Sequence, residues 1–563
     1  MKFRTFIRPL AIVAGLVLVV GLGLLGRLTL NTPLYLIERG GQAQPLALQF
    51  VPKQSPVVAS VLVRPDRLAT LWEYLAAPAL RQGARRDQEN IEQVLLANTG
   101  LSYSRDIQPW LGEEITAALV TPDLDQDPSN GATPGYLVAL VCRDSQAAQT
   151  ALELYWQNRA IAGESLTFEE FSGSRLIYAR PRPQRPLGQA GELATALVAN
   201  RFVLAANHPD VLRQALNAAQ SGELNLQGDR RYKTALRELP QPRVGLLAVN
   251  LPGLGQWLHA PEAPAALALN QLDATDDRVD WGLMSWQLTR QGLVGHTALL
   301  AAQGHRLHPQ APGEEDWAAI APYLPDSLAV TAVGTDLAAL AQRLTPLLAL
   351  VAPTANPLPL DGLDAVLGPG ATDILTAGVN RAYGLGLAAP TTDTPDWLVI
   401  APQSTTLTAS LDALTTLVQQ QGLGVGSLDL GGTPAVAWTR LSLPTGRGQQ
   451  PLQVVTEVAG MRAQIDRYEV LAASPATLGR VLSAAGASRR PAWWPQAPGP
   501  STGYIHIDWP QIQAFTAARL PQWRLWGQAA QPALRHLRQI TLVSGDRQAS
   551  MQTGRVVVEL SNQ

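Results

Sequence analysis

Leu204-Ala205-Ala206-Asn207-His208-Pro209 is answered in the second half of the chain by Leu471-Ala472-Ala473-Ser474-Pro475. In both, a short apolar run ends in a polar capping residue and a proline, the signature of a strand that turns directly into a helix. The helical pattern follows in each copy. It runs through Val211, Leu212, Ala215, Leu216, Ala218 and Ala219, and then through Leu478, Val481, Leu482, Ala484 and Ala485.

Other blocks repeat in the same order. Tyr136 to Leu140 matches Trp397 to Ile400, and each precedes a long helix candidate, Gln146 to Gln157 and Thr406 to Gln419. Gly245 to Pro252 matches Gly503 to Pro510, including the polar Asn250 or Asp508 and the closing proline. Leu111-Gly112 is set against Leu367-Gly368, and Pro52 to Val61 against Pro325 to Val333, so the offset runs between 256 and 273 residues. A period that long excludes a solenoid and predicts two homologous domains in tandem, 46–305 and 317–563, with a linker at 306–316.

Within each copy the apolar runs are short and bounded by Gly, Pro, Asn or Asp. Hairpin signals recur at Ser172-Gly173-Ser174, Ala199-Asn200-Arg201, Arg290-Gln291-Gly292 and Gln552-Thr553-Gly554. Short turns between strands argue antiparallel pairing, and helices that do not follow every strand argue an α+β class.

The N-terminus reads differently. Residues 1–9 hold Lys2, Arg4 and Arg8 without an acid, and no charge appears from Leu10 to Gly26. With Leu28 to Leu30 this predicts a transmembrane signal anchor at 10–30 and a tether at 31–45. The positive-inside rule then places residues 1–9 in the cytoplasm and both domains on the far side of a single-pass anchor, in the periplasm or thylakoid lumen. Gly21 to Gly26 fits GxGxxG but lies inside the apolar span, where it has no phosphate-binding meaning.

The segments Val51-Pro52 with Ser60-Val61-Leu62-Val63, Arg201 to Leu216, and their second-half counterparts resemble a family of cyanobacterial proteins known as domain of unknown function 3352. The resemblance covers nearly all of the chain after residues 10–30. It implies a cyanobacterial membrane and a shared fold. It brings no activity and no functional residue.

Composition excludes several chemistries. The 563 residues carry a net charge of -2 and 16 % charged side chains, so a globally basic nucleic-acid binder is excluded. Cys142 is alone, which excludes an intrachain disulfide, CxxC zinc sites and iron–sulfur ligation. Lys2, Lys53 and Lys233 are the only lysines and none completes a GxxxxGK loop. His305 and His308 have HxxH spacing but no third ligand nearby. Asp123, Asp125 and Asp127 begin a calcium-loop pattern that Pro128 and Pro134 break. Glu113-Glu114 and Glu169-Glu170 read as surface pairs, and Gly422 to Gly426 as a turn between strands. No cofactor and no metal site is expected.

One stretch concentrates charge. Asp508 is the only acid between Glu469 and Asp546, against seven arginines with Trp493, Trp494, Trp523 and Trp526 among them. Arg524, Gln528, Gln531, Arg535 and Arg538 recur at helical spacing, with Trp523, Trp526, Ala530, Leu534 and Leu537 on another stripe. Arg519, Trp523, Arg524, Trp526, Arg535 and Arg538 are therefore the candidate contact residues for anionic lipid or an acidic protein partner. The plain alternative is a domain helix with tryptophans in the core. The corresponding Gln256 to Asp280 of the first copy is acidic instead.

The function expected is non-enzymatic: a tethered binding or scaffold protein that engages a protein partner or membrane surface. A carrier of an apolar ligand is the alternative, and a pocket of several hundred Å³ would favour it. A hydrolase without a recognisable motif is the third reading, and it would need a buried Asp/His/Arg constellation in a cleft.

Overall fold

The computed structural model describes residues 36–37, 40–68, 100–127, 132–179, 193–258, 278–289, 292–308, 317–335, 337–338, 340, 363–364, 366–388, 396–442, 455–487, 491, 494, 501, 503–513 and 537–560. The chain divides into two units, residues 1–308 with 524–537 and 548–563, and residues 309–523 with 538–547.

Ten strands come from the first half: β1 (Val57–Val61), β2 (Leu111–Thr121), β3 (Gly135–Cys142), β4 (Leu166–Phe171), β5 (Ser174–Ala179), β6 (Ala194–Val198), β7 (Phe202–Ala206), β8 (Gly245–Asn250), β9 (Val279–Leu288) and β10 (Gly292–Ala301). They pair antiparallel in the order β4-β5-β6-β7-β3-β2-β1-β8-β9-β10. The turns explain the pairing. Ser172 and Gly173, and Ala199 and Asn200, take the positive φ that tight hairpins require.

The second half supplies β11 (Leu328–Gly334), β12 (Tyr383–Ala388), β13 (Asp396–Pro402), β14 (Gly424–Leu430), β15 (Thr433–Ser442), β16 (Val455–Ile465), β17 (Tyr468–Ala472), β18 (Gly503–Asp508) and β19 (Leu537–Gln548). Their order is β14-β15-β16-β17-β13-β12-β11-β18-β19, again antiparallel throughout. This is the connectivity of β4 through β9, strand for strand. The last strand, β20 (Met551–Leu560), belongs to the first unit, where it pairs with β10. Gln552, Thr553 and Gly554 thus lie inside a strand, not in the turn the sequence suggests.

Helices cover both faces of each sheet. In the first unit α1 (Ser145–Ile161) follows β3 and α2 (Pro209–Gln220) follows β7, then come α3 (Arg230–Glu238) and α4 (Leu251–Leu258). One core joins Val58, Ala118, Leu137 and Leu204 of the sheet to Leu212, Leu216 and Leu236 of α2 and α3. Smaller clusters around Ala148 of α1 and Trp257 of α4 cover the opposite side. In the second unit α5 (Ala371–Gly378) and α6 (Thr405–Gln420) pack on one face with Trp397 and Trp438. The other face takes α7 (Pro475–Ala487) and the 317–324 segment. Asp144 and Ser404 cap α1 and α6, while Pro209 and Pro475 open α2 and α7 directly after β7 and β17. One sequence match does not hold: Leu111-Gly112 opens β2, whereas Leu367-Gly368 precedes α5.

The expected class needs correction. Antiparallel sheet dominates and the helices are covering layers, rather than partners in an α+β fold behind an N-terminal transmembrane helix. No helix among the described residues is long and apolar enough to cross a membrane. The longest, α1, has 17 residues and carries Glu153 and Arg159, against the roughly 20 apolar residues a span needs. Residues 10–30 lie outside the described residues, as do residues 1–9, and the single-pass placement is not retained.

Double coverage buries polar groups, and each must find partners. Glu114 is 0 % exposed on β2, contrary to the surface position expected of it. Its Oε2 and Oε1 accept the N–H groups of Leu46 and Ala47 at 2.7 Å each, the donors that open the turn at Ala47–Phe50. Thr116 Oγ1 adds a bond at 3.1 Å and is itself bonded to Ser60 at 2.8 Å. Burial holds the Glu114 carboxyl above its ordinary range, and the backbone donors oppose that shift. Arg243, also 0 % exposed, donates to the carbonyls of Leu236 and Leu239 at 3.1 and 2.8 Å and to that of Ala43. The Gln42–Arg243 bridge fastens the incoming chain there. Gly41 has φ +101°, and a Cβ would lie 1.9 Å from the Arg243 carbonyl oxygen, so only glycine fits.

In the second unit His506 of β18 is 3 % exposed, with Thr331 and Thr541 opposite it on β11 and β19. Burial pushes its pKa down to about 4, opposed by Asp508.

Two outcomes follow for stability. Glu114→Ala orphans two buried N–H groups and should cost on the order of 3 kcal/mol in chemical denaturation; a loss under about 1 kcal/mol would deny the carboxylate this role. For His506, the unfolded chain holds a proton that the folded one lacks between pH 6.5 and about 4. Stability therefore falls as pH drops through that window, by at most about 1.4 kcal/mol per pH unit. Between about pH 7 and about pH 4.5, His506→Gln should lose less stability than the wild type. An equal loss in both would refute the assignment.

Candidate functional site

The candidate contact residues are placed unevenly. Arg519, Trp523, Arg524, Trp526 and Arg535 lie outside the described residues. Arg538 is exposed at the second position of β19, and Leu537 is buried beside it, so the proposed helical stripe does not continue through either. Two neighbours from the same stretch are structural. Trp494 is buried with its ring centroid 5.2 Å from Trp317, and Arg480 is 3.1 Å from Asp396.

The other sequence candidates resolve into supports. Cys142 is half-buried at the end of β3, and burial pushes its thiol up to about 11, far from a reactive thiolate. His305 and His308 are exposed. Among the described residues no group of three or more His, Cys, Asp or Glu is arranged to hold a metal ion. Asp123 accepts from Thr133 N and Oγ1 at 3.0 and 3.1 Å, turning the acidic loop inward on its own backbone. Glu169 is half-buried, not a plain surface acid. Arg213 Nε and Nη2 donate to it at 2.9 and 2.6 Å, and this pairing holds its pKa below the usual range. Gly422 ends α6 with φ +79°, and Gly424 and Gly426 belong to β14, so the glycine run joins a helix to a strand.

What the sequence did not point to is a cavity in the first unit, about 380 Å³ in volume. Leu36, Ile37, Pro242, Val244, Leu288 and Val294 give it apolar walls, and Gln241, Gln287, Thr289, His296 and Arg555 its polar groups. No acid is among these residues. The strands explain the convergence. His296 of β10 is directly opposite Arg555 of β20 and Ser285 of β9, and Val294, one rung along, is opposite Gln287. Gln287 Nε2 donates to the Pro242 carbonyl at 2.9 Å, tying the loop before β8 to the wall. His296 is half-buried. Burial first, and then the Arg555 charge, hold its pKa below 6.5, so the imidazole is neutral near pH 7. No described carboxylate pairs with Arg555. A period-2 reading of Gly292 to Ala301 does put His296 on the core face with Val294 and Ala298. That Arg555 joins it depends on β20 pairing with β10, which no local pattern reveals.

The fold is thus that of a protein built on helix-covered antiparallel sheet. The chain belongs to the family described as Protein of unknown function (DUF3352), whose profile matches residues 11–560. No curated protein matches it. A solved structure titled "Structure of crystal form I of TP0453" aligns at 10 % identity with a TM-score of 0.24, covering 46 % of this chain and 81 % of that one. A likeness that weak carries no argument about fold or role.

Arg555→Gln removes the charge that helps suppress His296. The imidazole midpoint, followed by NMR titration, should rise toward 6.5. An unchanged or lower midpoint would show that the two side chains do not interact.

Proposed function

We propose that this protein binds a small ligand rather than catalysing a reaction, with the first-unit cavity as the binding site. The observation that carries this reading is the cavity itself. Its volume of about 380 Å³ falls within the roughly 300–1,000 Å³ of small-molecule sites. Half of the residues that line it are aliphatic, Leu36, Ile37, Pro242, Val244, Leu288 and Val294, beside the polar Gln241, Gln287, Thr289, His296 and Arg555. That favours the carrier reading over the scaffold reading. Burial of an apolar ligand here is worth about 25 cal/mol per Å² removed from water, which suffices for binding without covalent chemistry.

The test is titration with the neutral fluorophore N-phenyl-naphthylamine. The wild type should enhance and blue-shift its emission. Ile37→Trp, which puts an indole at the cavity wall, should weaken binding by at least about tenfold while leaving the far-ultraviolet circular dichroism unchanged. Gln241→Trp should do the same from the opposite loop. Undiminished binding by both folded variants, or none by the wild type, would refute the site.

A further inference from the structure

Resting on the cavity reading above, we infer that the ligand is an amphipathic carboxylate, its anionic head on Arg555 and its aliphatic chain along Val294, Val244, Leu36 and Ile37. Three observations lead there. First, the charge at this site is of one sign. Arg555 lines the cavity, no acid does, and no described carboxylate neutralises the guanidinium. A planar guanidinium offers paired donors that match a carboxylate. Second, an aliphatic side chain lies beside the basic rung on the same face of β10, with Gln287 opposite it on β9. His296 and Arg555 share one rung, and Val294 lies two residues along β10, about 7 Å away at the usual rise per residue. A head group on the first rung thus sends an attached chain over the second. Third, the imidazole of His296 is neutral near pH 7, so Arg555 is the cation of this rung and His296 contributes a neutral N–H donor or acceptor beside it.

The geometry separates this ligand class from its near neighbours. A neutral alcohol of the same chain length gains the apolar contacts but leaves Arg555 without a counter-ion. A small anion without a chain gains the ion pair but leaves the aliphatic walls wet.

Octanoate and octanol, each displacing N-phenyl-naphthylamine from the full chain, separate these terms. Octanoate should bind at least about tenfold more tightly than octanol to the wild type, and added salt should narrow the gap. Arg555→Gln should erase the preference, with the far-ultraviolet circular dichroism unchanged to show that the variant is folded. Arg555→Lys should keep part of it, since the charge remains and the paired donors do not. Equal binding of octanoate and octanol by the wild type would overturn the carboxylate assignment and leave the cavity reading intact. A preference that survives in Arg555→Gln would overturn the role given to Arg555. Failure of the fluorophore itself to bind would remove the cavity reading and this inference with it.

Discussion

Each sheet in this protein is covered by helices on both faces, and that double burial constrains nearly everything else. A strand with one wet face can alternate apolar and polar residues freely. A strand covered on both sides must be apolar throughout or must provide internal partners for every polar group it carries. The central strand β13 follows the first course over Trp397 to Ala401, all buried, whereas buried β1 carries Ser60, which is bonded to Thr116. Where the sequence departs from it, bonds appear at several positions, while Ser285 Oγ of β9 and Thr331 Oγ1 of β11 stay buried without a partner among the described residues. Thr195 of β6 accepts the indole N–H of Trp156 from α1, and Glu114 takes the backbone donors of the Ala47–Phe50 turn.

The same constraint bears on the two buried charges of the first unit, Glu114 and Arg243, neither of which forms an ion pair among the described residues. Glu114 is held by amide donors and Arg243 by carbonyl acceptors. Backbone groups satisfy the charge without demanding a second buried ion, whose desolvation would cost several kcal/mol more. Both charges fasten chain at the edge of the core: Glu114 the residues at 46–47, Arg243 those at 42–43. Upstream of these, Leu36 and Ile37 line the cavity together with Val244, Leu288 and Val294.

The two halves repeat one strand order yet use it differently. At equivalent positions across three paired strands the first unit has Val58, Ala248 and Leu283, and the second has Thr331, His506 and Thr541. The outer strands diverge too. β4 carries Glu169 and Glu170, whereas β14 is nearly uncharged and exposed along almost its full length. A common backbone scheme thus tolerates an aliphatic row in one copy and a polar row in the other, provided the row stays covered.

Much of this was legible in the sequence. Asn207-His208-Pro209 and Ser474-Pro475 marked strand-to-helix junctions because capping and the fixed φ of proline act within a few residues. Ser172-Gly173 and Ala199-Asn200 marked hairpins for the same local reason. Glu114 was misread because adjacent residues on a strand face opposite ways, and only the packing of residues 46–50 decides which of Glu113 and Glu114 is buried. The apolar run at residues 10–30 read as a membrane span on hydropathy alone; it lies outside the described residues, among which no helix is long and apolar enough to cross. Local chemistry, then, determined the strands, the turns and the helix starts, since those depend on neighbours in the chain. The tertiary structure alone decided the dominance of sheet, the burial of Glu114 and the meeting of His296 with Arg555. Those depend on contacts between residues up to hundreds of positions apart, and no short-range pattern encodes such distances.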